Sequence, residues 1–524
     1  MTSYLQLLLG AALLMSFYSV FKMLVFNMHM FQLNGYRCSK HFHWLKKNIS
    51  RYAVELVCFA LSFTGLVKSD ALMGFCAAAL LVCIIALAPE NKSRPAKKPL
   101  VYTPRVKRML VTFCVLYTAV FVCIILLLAK GRGHLAFMVT GLANALAPMA
   151  VLLANLINTP IEKDINRHYL NDAKRMLREC PSLETIGITG SYGKTGVKFY
   201  LYDILKAWTD TLVTPNSFNT PMGVVKTVRG SLKATHRIFL CEMGAMWTGD
   251  IKELCDIVNP RHGIITALGE QHLETFGSKE NIIKTKYELA DALPSDGRLY
   301  LNWDNETIRL NPPKHKYIRY GTHIDADYRA FNIRPTAEGT EFDVAAPGGV
   351  TQHFVTKLLG EHNVINLTGA IAAANGFGMP LSEMPLFVRR IDAVPHRMQI
   401  VPKGAVTIID DAFNSNPAGC RAALSTLRDM DGMRILVTPG MVELGEREDE
   451  LNRQFGEYAA ECCDKIVLVG AKQTLAIKQG IESKGAGEKI SVYENFNDAI
   501  KAVYALKTDK KKIVLLENDL PDNY

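Results

Sequence analysis

Acidic side chains are scarce in the first 160 residues of this 524-residue chain, where three Asp and Glu stand against sixteen Lys and Arg. The other residues carry 44 basic and 47 acidic groups, so the overall charge of +10 belongs to the N-terminal part alone. That confinement gives little support to a nucleic-acid-binding basic face. Paired cysteines are missing too. The twelve cysteines include no Cys-x-x-Cys, which argues against structural zinc and for a reducing compartment. Repeats and low-complexity tracts are absent. With 49% hydrophobic and 21% charged residues, the chain is neither disordered nor fibrous. Its length implies two or more domains, at about 150 residues each.

Long apolar runs occupy 3–26, 52–67, 71–89, 109–129 and 135–157. A membrane-spanning helix needs about 20 apolar residues, which four of the five runs meet; 52–67 is short and carries Glu55. The first run lacks a basic flank and a small-residue cleavage site, so it reads as an anchor. Arg37, Lys40, Lys46, Lys47 and Arg51 follow the first run, and a second basic group from Lys92 to Arg108 follows the third. The alternate loops hold only Lys68, and Lys130 with Arg132. The excess of positive charge on cytoplasmic loops then places the N-terminus outside and everything after residue 157 inside. No pair of intramembrane charges marks a transport path.

Beyond 160 an amphipathic connecting helix is expected up to Pro181. Strand-like runs then alternate with helical ones, the pattern of a parallel α/β sheet. The runs are Thr185–Thr189, Arg237–Cys241, His262–Ala267 and Gly297–Asn302, followed by a β-rich stretch near 315–357 and a helix near 363–376. From about 395 the alternation restarts as a second α/β domain. The expected architecture is α/β, with about five transmembrane helices over 1–160, a P-loop central domain over 161–394 and a smaller Rossmann-like domain over 395–524.

The sharpest signal lies at Thr189-Gly190-Ser191-Tyr192-Gly193-Lys194-Thr195, where a β-run enters a glycine-rich turn and a helix starts at Lys194. Backbone N–H groups of such a turn converge on phosphate oxygens, aided by the helix N-terminus. Lys194 would contact the β- and γ-phosphates of ATP, and the Thr195 hydroxyl would ligate Mg²⁺. Glu242 follows the apolar run 238–241, which sets a carboxylate suited to Mg²⁺ at a strand end.

With further motifs in order, the chain resembles the Mur ligases, ATP-dependent amide ligases of cell-wall synthesis, and most of all their D-alanyl-D-alanine-adding branch. The motifs are Asn219-Thr-Pro-Met-Gly223, Glu242-Met-Gly-Ala245, His272-Leu-Glu-Thr-Phe-Gly-Ser278, Lys286-Tyr-Glu288, Asn302-Trp-Asp304, Gly360-Glu-His-Asn-Val-Ile-Asn366, Arg397, Asp410-Asp-Ala-Phe-Asn-Ser-Asn-Pro417 and Gly440-Met-Val-Glu-Leu-Gly445. The resemblance covers about 183–475. It implies that Glu242 and His272 ligate Mg²⁺ at two sites, and that Lys286, rather than Lys284, is carbamylated by CO₂ into a further ligand. It implies nucleotide contacts at Asn302, Asp304 and Asn363. Arg397 and Asp411 would reach back to ATP when the domains close, with Asn414 and Asn416 facing the acceptor amine. The implied reaction forms an acyl phosphate that an amine then attacks. The implied partners are a cell-wall precursor, UDP- or lipid-linked, and an amino acid or a dipeptide such as D-Ala-D-Ala.

The chain also departs from that family. A membrane region stands where the UDP-binding domain is usual, Asn452 stands where a His is expected, and the end reads Glu517-Asn-Asp-Leu-Pro-Asp-Asn-Tyr524 in place of a Lys-Gly-Ser-Arg-like turn. A lipid-linked precursor would account for the anchor. The competing readings are a polyglutamate-type ligase outside the wall and an ATP-binding membrane scaffold. A scaffold is disfavoured because Lys194, Glu242, His272, Lys286, Arg397 and Asp411 are all present.

Overall fold

The computed structural model describes residues 3–52, 56–57, 60, 63, 69, 71–72, 74–79, 99–269, 273–336, 339–394, 396–403, 406–412, 416–442 and 444–518. The chain divides into two units, Met1–Arg167 with its last four residues, and His168–Leu520.

The first unit is helical. Ser3–Leu33, Cys38–Lys47, Pro104–Ala129 and Gly133–Ala145 are its principal helices, and Ala147–Arg178 begins in it. Pro104 occupies the first turn of its helix, where no N–H is needed, and Thr103 caps it by accepting from Val106 N at 3.3 Å. Met28, Phe31, Val106, Met109, Val151 and Ala154 form the buried apolar cluster. Among the described residues, Gly10–Leu33 and Pro104–Ala129 are long and apolar enough to cross a membrane. Of the five expected runs, 52–67 and 71–89 fall mostly outside the described residues. The fifth run is not one straight helix: Gly133–Ala145 and Ala147–Arg178 meet at a 72° bend. The expected separate connecting helix is instead the continuation of Ala147–Arg178, which passes through Pro160. Around that proline Asn158 and Thr159 bond the carbonyls of Ala154 and Asn155 at 2.8 Å.

The second unit holds two sheets. The first comprises β1 (Glu184–Thr189), β2 (Thr211–Val213), β3 (Ile238–Glu242), β4 (His262–Ile265), β5 (Leu299–Asn302), β6 (Tyr317–Gly321), β7 (Tyr328–Thr336), β8 (Gly339–Ala346) and β9 (Val350–Thr356), in the order β2-β3-β1-β4-β5-β6-β7-β8-β9. Strands β1 to β7 run parallel, as the strand–helix alternation dictates, and β7 to β9 form an antiparallel meander. β1 is buried on both faces. One face packs in a cluster with Leu201, Leu367 and Ile371, and on the other Leu289 lies close over Gly187. Each such side chain contributes roughly 1.5–3 kcal/mol of burial.

The second sheet comprises β10 (Gln399–Lys403), β11 (Val406–Asp411), β12 (Met433–Thr438), β13 (Lys465–Val469), β14 (Ile490–Tyr493) and β15 (Lys512–Glu517), in the order β10-β11-β15-β12-β13-β14. All pairings are parallel except that of β10 with β11. Helices Pro417–Arg428, Glu448–Cys462 and Leu475–Ser483 surround it, close to where the helical periodicity put them. The short strands β2, β10 and β14 and the helices Pro221–Ser231, Asp250–Val258 and Phe496–Ala505 are additions that the sequence reading did not contain.

Candidate active site

The glycine-rich turn sits at the carboxyl end of β1, between β3 and β4. Gly190 has φ +147° and Gly193 has φ +81°. A side-chain carbon on Gly190 would collide with the Thr266 hydroxyl, and one on Gly193 would lie 2.6 Å from Asn366 Oδ1. Both positions therefore require glycine. Helix Lys194–Leu205 starts immediately after, and Ser191 pins the turn by donating from its N to Ala267 O at 2.6 Å. Its hydroxyl also donates to Gly269 O at 2.9 Å. The Thr189 hydroxyl donates to Met243 O at 2.9 Å, and the Thr266 hydroxyl donates to Tyr192 O. The Lys194 ammonium folds over the turn and donates to Gly190 O at 2.6 Å and Ser191 O at 3.0 Å.

Glu242 ends β3 and is the hub. Its Oε1 accepts from the Thr195 hydroxyl at 3.2 Å and from Asn219 Nδ2 at 3.0 Å. Its Oε2 lies 2.9 Å from Lys198 Nζ, and both side chains are closed to solvent. Lys198 also donates to the carbonyl of Asn216. Burial alone would raise the Glu242 carboxyl, but Lys198 and Lys194 hold it below its usual value, so it stays ionised. Burial lowers Lys194 to about 8, with Glu242 opposing and Arg397 assisting.

Lys286 is buried on helix Lys279–Ala292, whereas Lys284 on the same helix is exposed. Burial brings Lys286 well below the ordinary lysine value, and Lys194 adds to this against Asp250, Glu288 and Glu242. Such an amine is held toward its neutral form. Arg397 precedes β10 and lies within the influence of Glu242, Asp411 and Tyr200, each of which favours its charge against burial. Three cationic side chains, Lys194, Lys198 and Arg397, thus gather about Glu242, an excess that suits a polyphosphate.

The structure gives other expected residues internal partners. Asn302 Oδ1 accepts from Asp304 N at 3.0 Å, and Asp304 caps the turn after β6 through Thr322 N and His323 N, both at 2.7 Å. Asn363 accepts from the Tyr200 hydroxyl and donates to Leu359 O, both at 2.8 Å. These internal bonds hold Asn302, Asp304 and Asn363 in place within the fold. Asn416 caps helix Pro417–Arg428 by accepting from Gly419 N at 2.8 Å. His272 and Asn414 lie outside the described residues. Asp411 ends β11 and accepts from Met398 N at 3.1 Å. Lys198 escaped sequence reading, although its position one helical turn after Lys194 was a usable signal.

Two family models match the chain: the Mur ligase middle domain over 188–374, and the Mur ligase, glutamate ligase domain over 396–517. The UDP-N-acetylmuramoyl-tripeptide–D-alanyl-D-alanine ligase of Bacillus subtilis is 30% identical over 336 residues, covering 63% of this chain and 72% of its own. Its Escherichia coli counterpart is 30% identical over 349 residues, covering 64% and 76%. Among solved structures, MurF from Acinetobacter baumannii superposes with a TM-score of 0.62 at 25% identity, covering 68% of this chain and 77% of that one.

Proposed function

The chain belongs to the Mur ligase family of ATP-dependent carboxylate–amine ligases, and from that premise we propose that it lengthens the peptide of a cell-wall precursor at the cytoplasmic face of a bacterial membrane. The added group is an amino acid or a dipeptide such as D-Ala-D-Ala, which the relatives' names support. The observation that carries the reading is the convergence of Lys194, Thr195, Lys198 and Glu242 at the ends of β1 and β3, with Lys286 and Arg397 in electrostatic reach.

In the first step an oxygen of the precursor carboxylate attacks the γ-phosphorus, the bond to the β-phosphate oxygen breaks, and ADP leaves. Lys194 exchanges the Gly190 and Ser191 carbonyls for phosphate oxygens, and Arg397 balances the charge spread over the transferring group. The amine then attacks the acyl carbon, loses a proton, and phosphate departs. Positioning and fixed cations carry this chemistry.

The residues present fit Mg²⁺. The Thr195 hydroxyl and the Glu242 carboxylate offer adjacent buried oxygens 3.2 Å apart, and the carboxylate is kept ionised with Oε2 2.9 Å from the Lys198 ammonium. Bound there, Mg²⁺ would neutralise phosphate charge. Glu242 and Thr195 would hold it, with His272 and carbamylated Lys286 at a second position. The depressed basicity of Lys286 supports that modification, because only a neutral amine adds to CO₂, forming an N–C bond and releasing a proton.

The two span-length helices and the basic loops support an anchor, and an anchored site favours a lipid-linked precursor. The test mixes detergent-solubilised full-length protein with ATP, Mg²⁺, bicarbonate and D-Ala-D-Ala. UDP-MurNAc-tripeptide or its lipid-linked form is the carboxylate, and the product is read by mass. Extension of the lipid-linked form with stoichiometric ADP is expected. Preference for the UDP form would remove the lipid-linked substrate from the reading. No extension of either, with ATP bound, would overturn the cell-wall assignment.

A further inference from the structure

The two oxygens of the Glu242 carboxylate have different neighbours. Oε1 accepts from the Thr195 hydroxyl at 3.2 Å and from Asn219 Nδ2 at 3.0 Å. Oε2 lies 2.9 Å from the Lys198 ammonium, with the Lys198 side chain 0% and the Glu242 side chain 1% exposed. Thr195 and Lys198 stand three residues apart on helix Lys194–Leu205 and share one of its faces, from which the helix holds both oxygens of one carboxylate. The lysine is itself fixed. Its ammonium donates to the Asn216 carbonyl and lies 4.3 Å from the centre of the Phe199 ring. The backbone of Glu242 is fixed as well, since its N donates to the Thr214 hydroxyl at 3.1 Å. Turning both carboxylate oxygens toward one other ligand would take Oε2 from Lys198 and leave a buried ammonium without its counter-ion, which is costly.

We propose that Lys198 is a positioning residue that sets metal selectivity: by occupying Glu242 Oε2 it leaves a single carboxylate oxygen, Oε1 beside the Thr195 hydroxyl, for a divalent cation, and so favours Mg²⁺ over Ca²⁺. Mg²⁺ takes about six oxygens at about 2.0–2.1 Å in near-octahedral geometry, and it keeps waters and phosphate oxygens as most of them. One oxygen from a carboxylate and one from a hydroxyl suit that demand. Ca²⁺ is larger, takes roughly six to eight oxygens at about 2.3–2.6 Å, and readily binds a carboxylate through both of its oxygens. The Lys198 ammonium closes that second mode. The glutamate is thus the ligand, and the lysine decides how many of its oxygens serve. This inference rests on the reading of Glu242 and Thr195 as the Mg²⁺ position and is independent of which precursor is extended.

The experiment compares full-length parent and Lys198→Met in detergent, each saturated with a non-hydrolysable ATP analogue and loaded with Mn²⁺. Mg²⁺ and Ca²⁺ are titrated in separately, and the electron-spin resonance of Mn²⁺ reads its displacement. The phosphates of the analogue act alike in both proteins, so the change in the ratio of the two affinities isolates Lys198. The parent should prefer Mg²⁺. In the variant the ratio should move toward Ca²⁺ by about tenfold, the lower end of what loss of a ligand's supporting partner does to metal affinity. A lysine that merely supports the fold would weaken both metals in step, so an unchanged ratio, or a parent that prefers Ca²⁺, overturns the proposal. A parent that binds the analogue yet takes up none of the three metals removes the Mg²⁺ position itself, and the proposal with it. If Lys198→Met fails to fold, the structure of the parent with Ca²⁺ and the analogue decides. Glu242 bound through Oε1 alone, with Lys198 still on Oε2, is expected there, and a carboxylate holding Ca²⁺ through both oxygens is decisive against it.

Discussion

Lys198 Nζ lies 2.9 Å from Glu242 Oε2, with neither side chain reaching solvent. The pair joins the helix after the glycine-rich turn to the end of β3, and through the Asn216 carbonyl it reaches the loop that carries Asn219. A buried carboxylate so held is ionised and oriented before any nucleotide arrives.

Replacing Lys198 by Met should destabilise the fold by about 3–5 kcal/mol, because it leaves Glu242 charged and buried with a partner lost. Lys198→Met combined with Glu242→Gln should recover much of that loss. Denaturant titration of the three variants checks this, and a single-variant loss under about 1 kcal/mol would show that the pair is not coupled as drawn.

Gly190→Ala should abolish ATP binding while costing the fold less than the Lys198 change. The new carbon meets the Thr266 hydroxyl at a φ of +147° and distorts the glycine-rich turn. Isothermal titration with ATP reads the loss, and near-parent affinity would argue against this turn as the phosphate cradle.

Lys286→Met should remove ligation and raise stability. The unfolded lysine takes up a proton below its ordinary value while the buried one stays neutral, so the native state loses stability as pH falls from the ordinary value toward the lowered one. The stability gap between variant and parent should accordingly widen as pH falls from about 10, the ordinary lysine value. Unfolding midpoints over pH 7 to 10 test the sign, and a gap that narrows instead would mean that Lys286 is charged and paired.

Asn452→Ala should cost about 2–3 kcal/mol. The Asn452 amide accepts from Met441 N and donates to Met441 O and Glu448 O, all at 2.9 Å, and it is buried. A change within about 0.5 kcal/mol would show that the Gly440–Gly445 loop is held elsewhere. The bonds also explain how an asparagine serves where the family pattern led to expecting a histidine: its amide spans a loop backbone from both sides.

Legibility in the sequence followed the range of the interactions. The strand–turn–helix at Thr189–Thr195 and the helices of the last domain were readable because glycine conformations and helical periodicity are local properties. Short strands such as β2 and β14 were not, because three or four residues carry no period and gain their structure from a neighbouring strand. Asn302, Asp304 and Asn363 are the instructive cases. Their sequence context does not name the partners that the fold gives them, the turn after β6 and the Tyr200 hydroxyl.

Local chemistry in the chain thus determined the α/β alternation, the glycine-rich turn, the acidic end of β3 and the basic loops of the N-terminal third, since each is written in consecutive residues. The tertiary structure alone decided that Lys198 faces Glu242, that Lys286 is buried while Lys284 is exposed, and that Asp411 accepts from Met398 N. Those relationships join residues on different strands and helices, and their energies depend on exclusion of water, which no run of sequence specifies until the sheets close around it.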